Sequence, residues 1–161
     1  MNRIYYGYAV YDRKEINAVN KVLTKSNLTL IDGPSVKLFE KNVAKLFGKK
    51  FGLMVNSGSS ANLLAIASLK LKKGSEIITP TLTFSTTVAP IYQLGMVPHF
   101  VDVEMNKFII NTEQIEKAIN KKTKAIIVPN LLGNVPNYIK IYKIAKKYKL
   151  KIIEDSADTI T

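Results

Sequence analysis

Cysteine is missing from this 161-residue chain, histidine occurs once, and arginine occurs only at Arg3 and Arg13. The first absence excludes disulfides, thiolate metal sites and a cysteine nucleophile, although it says little about compartment. With His99 as the sole imidazole there is no histidine set for zinc. Its setting, Val97-Pro98-His99-Phe100, is that of a packed or edge residue in a strand. Long hydrophobic runs are missing too, since none approaches the roughly 18 to 20 residues that span a bilayer. The N-terminus, Met1-Asn2-Arg3-Ile4-Tyr5-Tyr6-Gly7-Tyr8, lacks the apolar core and small-residue cleavage site of a secretory signal, so a cytoplasmic enzyme is the expectation.

Lysine is what the chain has in excess. A net charge of +12, from 24 basic against 12 acidic residues, invites a polyanion. The scarcity of arginine argues against nucleic acid, because base and phosphate recognition leans on its planar fork. The lysines are spread over helix faces and turns, as in Lys121-Lys122 and Lys146-Lys147, without the aromatic interleaving of single-strand binders. A solvated surface is therefore expected, with neither nucleic acid nor a membrane as partner. The length suits one domain with a real core, and 47% apolar content agrees.

The chain is organised around Met54-Val55-Asn56-Ser57-Gly58-Ser59-Ser60-Ala61-Asn62. An apolar strand candidate, residues 51–55, runs into small hydroxylated residues about one glycine, and a helical pattern follows through Leu71. The first N–H groups of a helix lack intrahelical partners and carry partial positive charge, so such a junction can bind an anion. Ser57 as a plain N-cap in a tight turn is the other reading.

Before this junction the spacing predicts a helix over 12–25, capped by Asp12, with Ile16, Val19, Val22 and Leu23 on one stripe. A polar connection over 26–33 ends in Asp32-Gly33-Pro34. A second amphipathic helix is predicted over 35–46, with Val36, Phe39, Val43 and Leu46 in line and Gly48 closing it. After it, strand candidates at 51–55, 76–79, 97–101, 124–128 and 151–154 alternate with helical segments at 59–71, 84–94, 112–120 and 138–148. The strands are short and rich in Ile and Val on both faces, which is the pattern of parallel strands covered by helices. The fold class is therefore α/β, an open, mostly parallel sheet in a three-layer arrangement.

Ligands in such sheets collect at the carboxyl ends of the strands, and the loops there are polar. They are Asn56-Ser57-Gly58-Ser59-Ser60, then 80–87 with Phe84 set among hydroxyls, then Pro129-Asn130-Leu131-Leu132-Gly133-Asn134, and finally Glu154-Asp155-Ser156-Ala157-Asp158. An acid at the end of a buried strand is costly without a charged partner, so Asp155 requires a cation from the protein or from a ligand. Asp102 and Glu104 are adequately explained by turn formation. A carboxylate pair for glycoside hydrolysis is conceivable from Glu154, Asp155 and Asp158. Neighbours on a strand point to opposite faces, however, so Glu154 and Asp155 would not converge on one bond.

An anion-binding helix start, an aromatic platform and a strand-end carboxylate suit pyridoxal 5'-phosphate (PLP). Its phosphate would sit on the amides of Gly58 to Ser60, its ring on Phe84, and its protonated ring nitrogen against Asp155, which keeps the ring an electron sink.

These same blocks carry a resemblance. Gly33-Pro34-Ser35-Val36 with Phe39-Glu40, Asn56 to Leu63, Gly74-Ser75-Glu76-Ile77-Ile78-Thr79-Pro80, Gly95 with Pro98 and Phe100-Val101-Asp102, Thr123-Lys124-Ala125-Ile126, and Glu154-Asp155 occur in this order. From about Gly33 to Asp158 the chain resembles the first half of the large domain of the DegT/DnrJ/EryC1/StrS sugar aminotransferases, which have the fold-type I PLP-dependent architecture. The resemblance implies residues 1–34 as an N-terminal helical segment and connection, and 35–161 as an incomplete PLP-binding large domain.

By the same resemblance Gly58, Ser59 and Ser60 match the phosphate contacts, Phe84 the stacking aromatic and Asp155 the pyridinium partner. Asp158 falls where many relatives have a histidine near the cofactor. The segments 56–65, 84–91 with Gln93, 132–134 and 154–159 look like the nucleotide-hexose 3-dehydratase branch, which uses pyridoxamine phosphate. Asn130 departs from the histidine usual there, and Ser85 interrupts the usual Phe-Pro-Thr-Thr.

The residue that defines the chemistry, a Schiff-base lysine in aminotransferases or a histidine in dehydratases, is expected by resemblance beyond Thr161. The catalytic group is therefore unknown and the chain is expected to be a fragment. The implied substrate is a nucleotide-linked keto-sugar, the implied assembly a homodimer when full length, and no metal is expected. The alternative is a noncatalytic α/β module whose basic surface holds a polyanion.

Overall fold

Four short strands build the sheet, the two central ones buried on both faces. The computed structural model describes residues 7–25 and 30–160, so the first six residues, the 26–29 part of the predicted connection and Thr161 lie outside the described residues. The chain divides into two compact units, Met1–Met54 and Val55–Thr161.

In the first unit, α1 (Arg13–Lys25) and α2 (Pro34–Leu46) stand where the periodicity places them. Asp12 caps α1 reciprocally: its Oδ1 accepts from the Lys14 N–H at 2.6 Å, and its own N–H donates to Glu15 Oε2 at 2.8 Å. Two otherwise orphaned donors are thereby satisfied. Pro34 occupies the first turn of α2, where its missing N–H costs nothing.

The strand expected over 51–55 is a correction, for no strand forms there among the described residues. A strand needs a ladder partner, and among the described residues none pairs with this segment. The Met54 N–H instead donates to the Glu40 carboxylate at 2.7 Å. Gly52 lies so close to α2 that a Cβ would stand 2.4 Å from the Glu40 carbonyl oxygen, which only glycine permits.

The second unit is the predicted α/β alternation: α3 (Gly58–Ser68), β1 (Glu76–Pro80), α4 (Ser85–Gln93), β2 (Val97–Val101), α5 (Thr112–Ala118), β3 (Thr123–Pro129), α6 (Tyr138–Tyr148) and β4 (Lys151–Asp155). The four strands are parallel in the order β2-β1-β3-β4. Successive side chains on a strand alternate faces, and each face collects its own core. On one, Ile77, Ala125, Ile127 and Ile153 pack with Ile66 of α3 and Ile91 of α4. On the other, Ile78, Ile126 and Val128 pack with Ile115 of α5 and Ile141, Ile144 and Ala145 of α6.

The result is three layers, α3 and α4 on one face and α5 and α6 on the other. From β1 the chain first steps outward to β2 and then returns past it to β3, so the strand order reverses between β1 and β3. That reversal opens the crevice where such sheets hold ligands. No helix among the described residues is long and apolar enough to cross a membrane.

Candidate functional site

Alternation along β4 decides which acid faces what. Ile153 lies in the core under α3 and α4, so Asp155 points to that same face and Glu154 to the other. The contacts agree. Asp155 Oδ2 accepts from Asn62 Nδ2 of α3 at 2.8 Å and from Thr87 Oγ1 of α4 at 2.9 Å. Glu154 instead accepts from the Tyr142 hydroxyl of α6. The two acids do not converge, as a glycosidase pair would have to.

The donors to Asp155 have a structural origin. Pro90 lies inside α4 and has no N–H to give the Thr86 carbonyl four residues earlier. Asn62 Nδ2 donates to that carbonyl instead, at a long 3.5 Å, and its second hydrogen goes to Asp155. One amide nitrogen thus repairs the proline gap and orients the carboxylate. Asn62 and Thr87 are 7% and 1% exposed, so this geometry is held from within the core.

Both donors on Oδ2 are neutral. Among the described residues the other oxygen, Oδ1, accepts only the local Ala157 N–H, at 3.3 Å. No lysine, arginine or histidine nitrogen pairs with Asp155 among the described residues. The cation that its position demands does not come from them.

Gly58, Ser59 and Ser60 form the first turn of α3, one turn before Asn62, so the helix start lies beside the β4 end. A Cβ on Gly58 would meet only Ala157 Cβ, at 3.9 Å, so space does not demand glycine there. Both readings of Ser57 meet at this turn. Its Oγ accepts from the Ser60 N–H at 3.2 Å, an N-cap that removes one of the three expected phosphate donors. The Gly58 and Ser59 N–H groups and the Ser59 and Ser60 hydroxyls remain for an anion.

Phe84 is the N-cap of α4, three residues before Thr87, and is 68% exposed at the carboxyl end of the sheet. Gly58, Ser59, Ser60, Phe84 and Asp155 are therefore carried by three elements that meet through Asn62, Thr87 and Asp155. Beneath them Thr79 Oγ1, on the same face of β1, and Thr83 Oγ1 are buried without a hydrogen-bond partner among the described residues.

Asp158 is engaged elsewhere. Its Oδ2 accepts from the Leu132 N–H at 3.1 Å, and Leu132 is held at φ 54, a left-handed conformation that is costly for a branched residue. Asn130, 2% exposed, ties the same two loops together. Its N–H donates to the Asp155 carbonyl at 2.9 Å, its Nδ2 to Ser156 Oγ at 3.0 Å, and its Oδ1 accepts from the Tyr138 hydroxyl at 2.9 Å. Thr159 Oγ1 donates to the Asn130 carbonyl at 2.9 Å. Burial first, then the Glu154 charge, pushes the Tyr138 hydroxyl above its usual range, so it remains a donor.

His99 is on edge strand β2 against Glu76, at 3.1 Å. Asp102 accepts from the Val103 N–H and Glu104 pairs with Lys107, both turn roles.

Asn62, Thr87 and Asn130 carry the site without having been assigned roles in the sequence. A signal existed for two of them. Asn62 stands four residues before Ile66, and Thr87 four before Ile91, so each is a polar residue on a stripe otherwise facing the sheet. Asn130 has no such periodic neighbour.

Comparison with known proteins follows the same blocks. The chain is 39% identical over 158 residues to a GDP-4-keto-6-deoxy-D-mannose 3-dehydratase of Yersinia pseudotuberculosis, covering 94% of this chain and 40% of that protein. It is 42% identical over 130 residues to the lipopolysaccharide biosynthesis protein RfbH of Salmonella typhimurium, covering 76% and 30%. A crystal structure of GDP-4-keto-6-deoxymannose-3-dehydratase with a trapped PLP-glutamate geminal diamine superposes with a TM-score of 0.91 at 38% identity, covering 98% of this chain and 42% of that one. The chain thus spans well under half the length of these relatives. The sequence pattern of one family matches residues 10–161, and on that match the chain belongs to the DegT/DnrJ/EryC1/StrS aminotransferase family.

Proposed function

We propose that this chain forms the cofactor-holding part of an enzyme dependent on PLP or pyridoxamine 5'-phosphate. The enzyme would act on a nucleotide-linked keto-sugar, by transamination or by 3-dehydration, in surface polysaccharide synthesis. The observation that carries the reading is Asp155: a half-buried strand-end carboxylate fixed by two neutral donors, with one oxygen left for a cation. A protonated pyridine nitrogen is such a cation, and it relieves the cost of the charge.

The donor set fits the group. Gly58 and Ser59 N–H groups with the Ser59 and Ser60 hydroxyls would hold the phosphate at the α3 N-terminus. Phe84 would cover the ring. When bound, the cofactor supplies an electron sink for bond breaking next to the nitrogen it carries. Asn62 and Thr87 would keep Asp155 pointed at the ring nitrogen, since both donate to its Oδ2. Asp158 serves the site through Leu132, positioning the 131–133 turn. Two copies per assembly and a cytoplasmic setting belong to the same proposal and rest on the family.

Weak binding and no turnover are expected of these 161 residues by themselves, so the test is a chemical-shift titration with pyridoxamine 5'-phosphate. Shifts are expected at Gly58 to Ser60 and at Asp155. Losing a charge-assisted hydrogen bond, about 1.5 to 3 kcal/mol, should weaken binding in Asp155→Asn by roughly ten- to a hundredfold. Equal affinity in Asp155→Asn would refute the reading, whereas robust transamination by this chain would overturn only the expectation that these residues alone are inactive. Reading the gene past codon 161 separates the two reactions: a lysine at the family position means transamination, and a histidine means dehydration.

A further inference from the structure

Topology gathers what the sequence disperses. Because all four strands are parallel, the turns that precede them lie at one end of the sheet, opposite the candidate cofactor site. Three of those turns are lysine-rich: Lys70, Lys72 and Lys73 before β1, Lys121, Lys122 and Lys124 at the start of β3, and Lys146, Lys147, Lys149 and Lys151 at the start of β4.

Hydrogen bonds and register place these turns side by side. The Glu76 N–H donates to the Lys122 carbonyl at 2.9 Å, joining the first turn to the second. Ala125 of β3 is in register with Lys151 of β4, joining the second to the third. All ten lysines are exposed.

Ten of the fourteen lysines in Val55–Thr161 therefore share one rim, against two of its eight carboxylates. Both of those acids are engaged. Glu76 accepts from Asn120 at 2.6 Å and faces His99, and Glu116 accepts from Lys147 at 2.7 Å and from Tyr148. The end of the unit that carries Asp155 has the opposite balance, with Asp102, Glu104, Glu154, Asp155 and Asp158 there. The lysines lie on helix faces and in turns, as expected, and are exposed, but within this unit they are segregated to one end.

We propose that the lysine rim is a docking surface for an anionic lipid bilayer, which would leave the opposite, cofactor-binding end open to the solution. A diffuse array of flexible ammonium groups suits a fluid plane of anionic headgroups, since attraction of about 1 kcal/mol per lysine needs no fixed geometry. Exposed Tyr92 ends α4 beside this rim, where the Gly74 N–H donates to the Gly95 carbonyl at 2.8 Å, and a tyrosine suits the headgroup layer. Nucleic acid is the poorer fit. Val55–Thr161 contains no arginine, and the Tyr148 ring lies under Lys147 rather than open to a base. The expectation of no membrane partner follows from the lack of a spanning segment. Rim docking needs no span.

The test is co-sedimentation of the chain with vesicles of phosphatidylcholine, with and without roughly one third phosphatidylserine. Binding to the anionic vesicles alone is expected, and it should fall as salt is raised above about 0.1 M. The quadruple variant Lys72→Gln, Lys73→Gln, Lys121→Gln, Lys122→Gln should lose at least about a hundredfold in affinity. A control, Lys14→Gln, Lys37→Gln, Lys41→Gln, Lys45→Gln, removes the same charge from the Met1–Met54 unit and should lose much less. Equal loss in the control would reduce the effect to net charge and overturn the proposal. So would equal binding to neutral vesicles, no binding to either, or displacement from the vesicles by an equal charge concentration of duplex DNA. Circular dichroism of both variants confirms that the fold is kept.

Discussion

Substituting Asn62 separates the two roles the structure gives to one amide. In Asn62→Ala the Asp155 carboxylate loses a 2.8 Å donor and the Thr86 carbonyl, deprived of a backbone donor by Pro90, loses its substitute. A hydrogen bond to a charged group contributes about 1.5 to 3 kcal/mol, and an unsatisfied buried carbonyl costs about 1 to 3 kcal/mol. The long 3.5 Å contact belongs at the low end, so a total near 3 kcal/mol is expected.

Asp155→Asn should behave differently. Its amide oxygen can still accept from Asn62 and Thr87, and the weaker bonds are offset by removing a half-buried charge that has no cation beside it. Its stability should lie within about 1 kcal/mol of the parent. Asp155→Leu leaves both donors orphaned and should resemble Asn62→Ala. Urea unfolding followed by circular dichroism, read at unchanged m, measures all three. If Asp155→Asn loses as much stability as Asn62→Ala, the carboxylate charge already has a partner in the protein. The argument for a ligand cation then fails.

Two further outcomes follow from the strand-end loops and from α6. Asp158→Ala removes the acceptor of the Leu132 N–H, so amide exchange at Leu132 should accelerate by about tenfold, the equivalent of about 1.4 kcal/mol; Glu154→Ala should leave it unchanged. The hydrogen bond to Glu154, then burial, pushes the Tyr142 hydroxyl up to about 12 from an ordinary 10. A group whose folded value is raised contributes stability that is complete below about pH 10 and lost as pH rises through about 12. The phenolate absorbance of Tyr142 should accordingly appear late in an alkaline titration, and Glu154→Gln should bring it earlier; an unmoved titration would contradict the contact.

Local pattern was enough for much of the molecule. Four strands and their covering helices were legible because Ile and Val runs of strand length alternate with 3.6-residue stripes, and parallel pairing follows from that alternation. The residues proposed to hold the cofactor were legible for a related reason. Strand ends are where such a sheet places ligands, which singled out Phe84 and Asp155, whereas Gly58 follows a segment that forms no strand and was singled out by its place at a helix start. The 51–55 segment misled because an apolar run records a tendency to pair, whereas a strand exists only when a neighbour completes its ladder.

Other features depend on residues distant in sequence and could be settled only by packing. Asn62 meets Asp155 across 93 positions. Whether a carboxylate has a cation partner is a property of its surroundings, invisible in the residues on either side. The same holds for charge. The sequence by itself determined that the chain is basic and rich in lysine, and that its elements alternate. Only the tertiary structure decided that ten of those lysines share one rim, because parallel strands bring every entering turn to the same end and every acidic exit loop to the other.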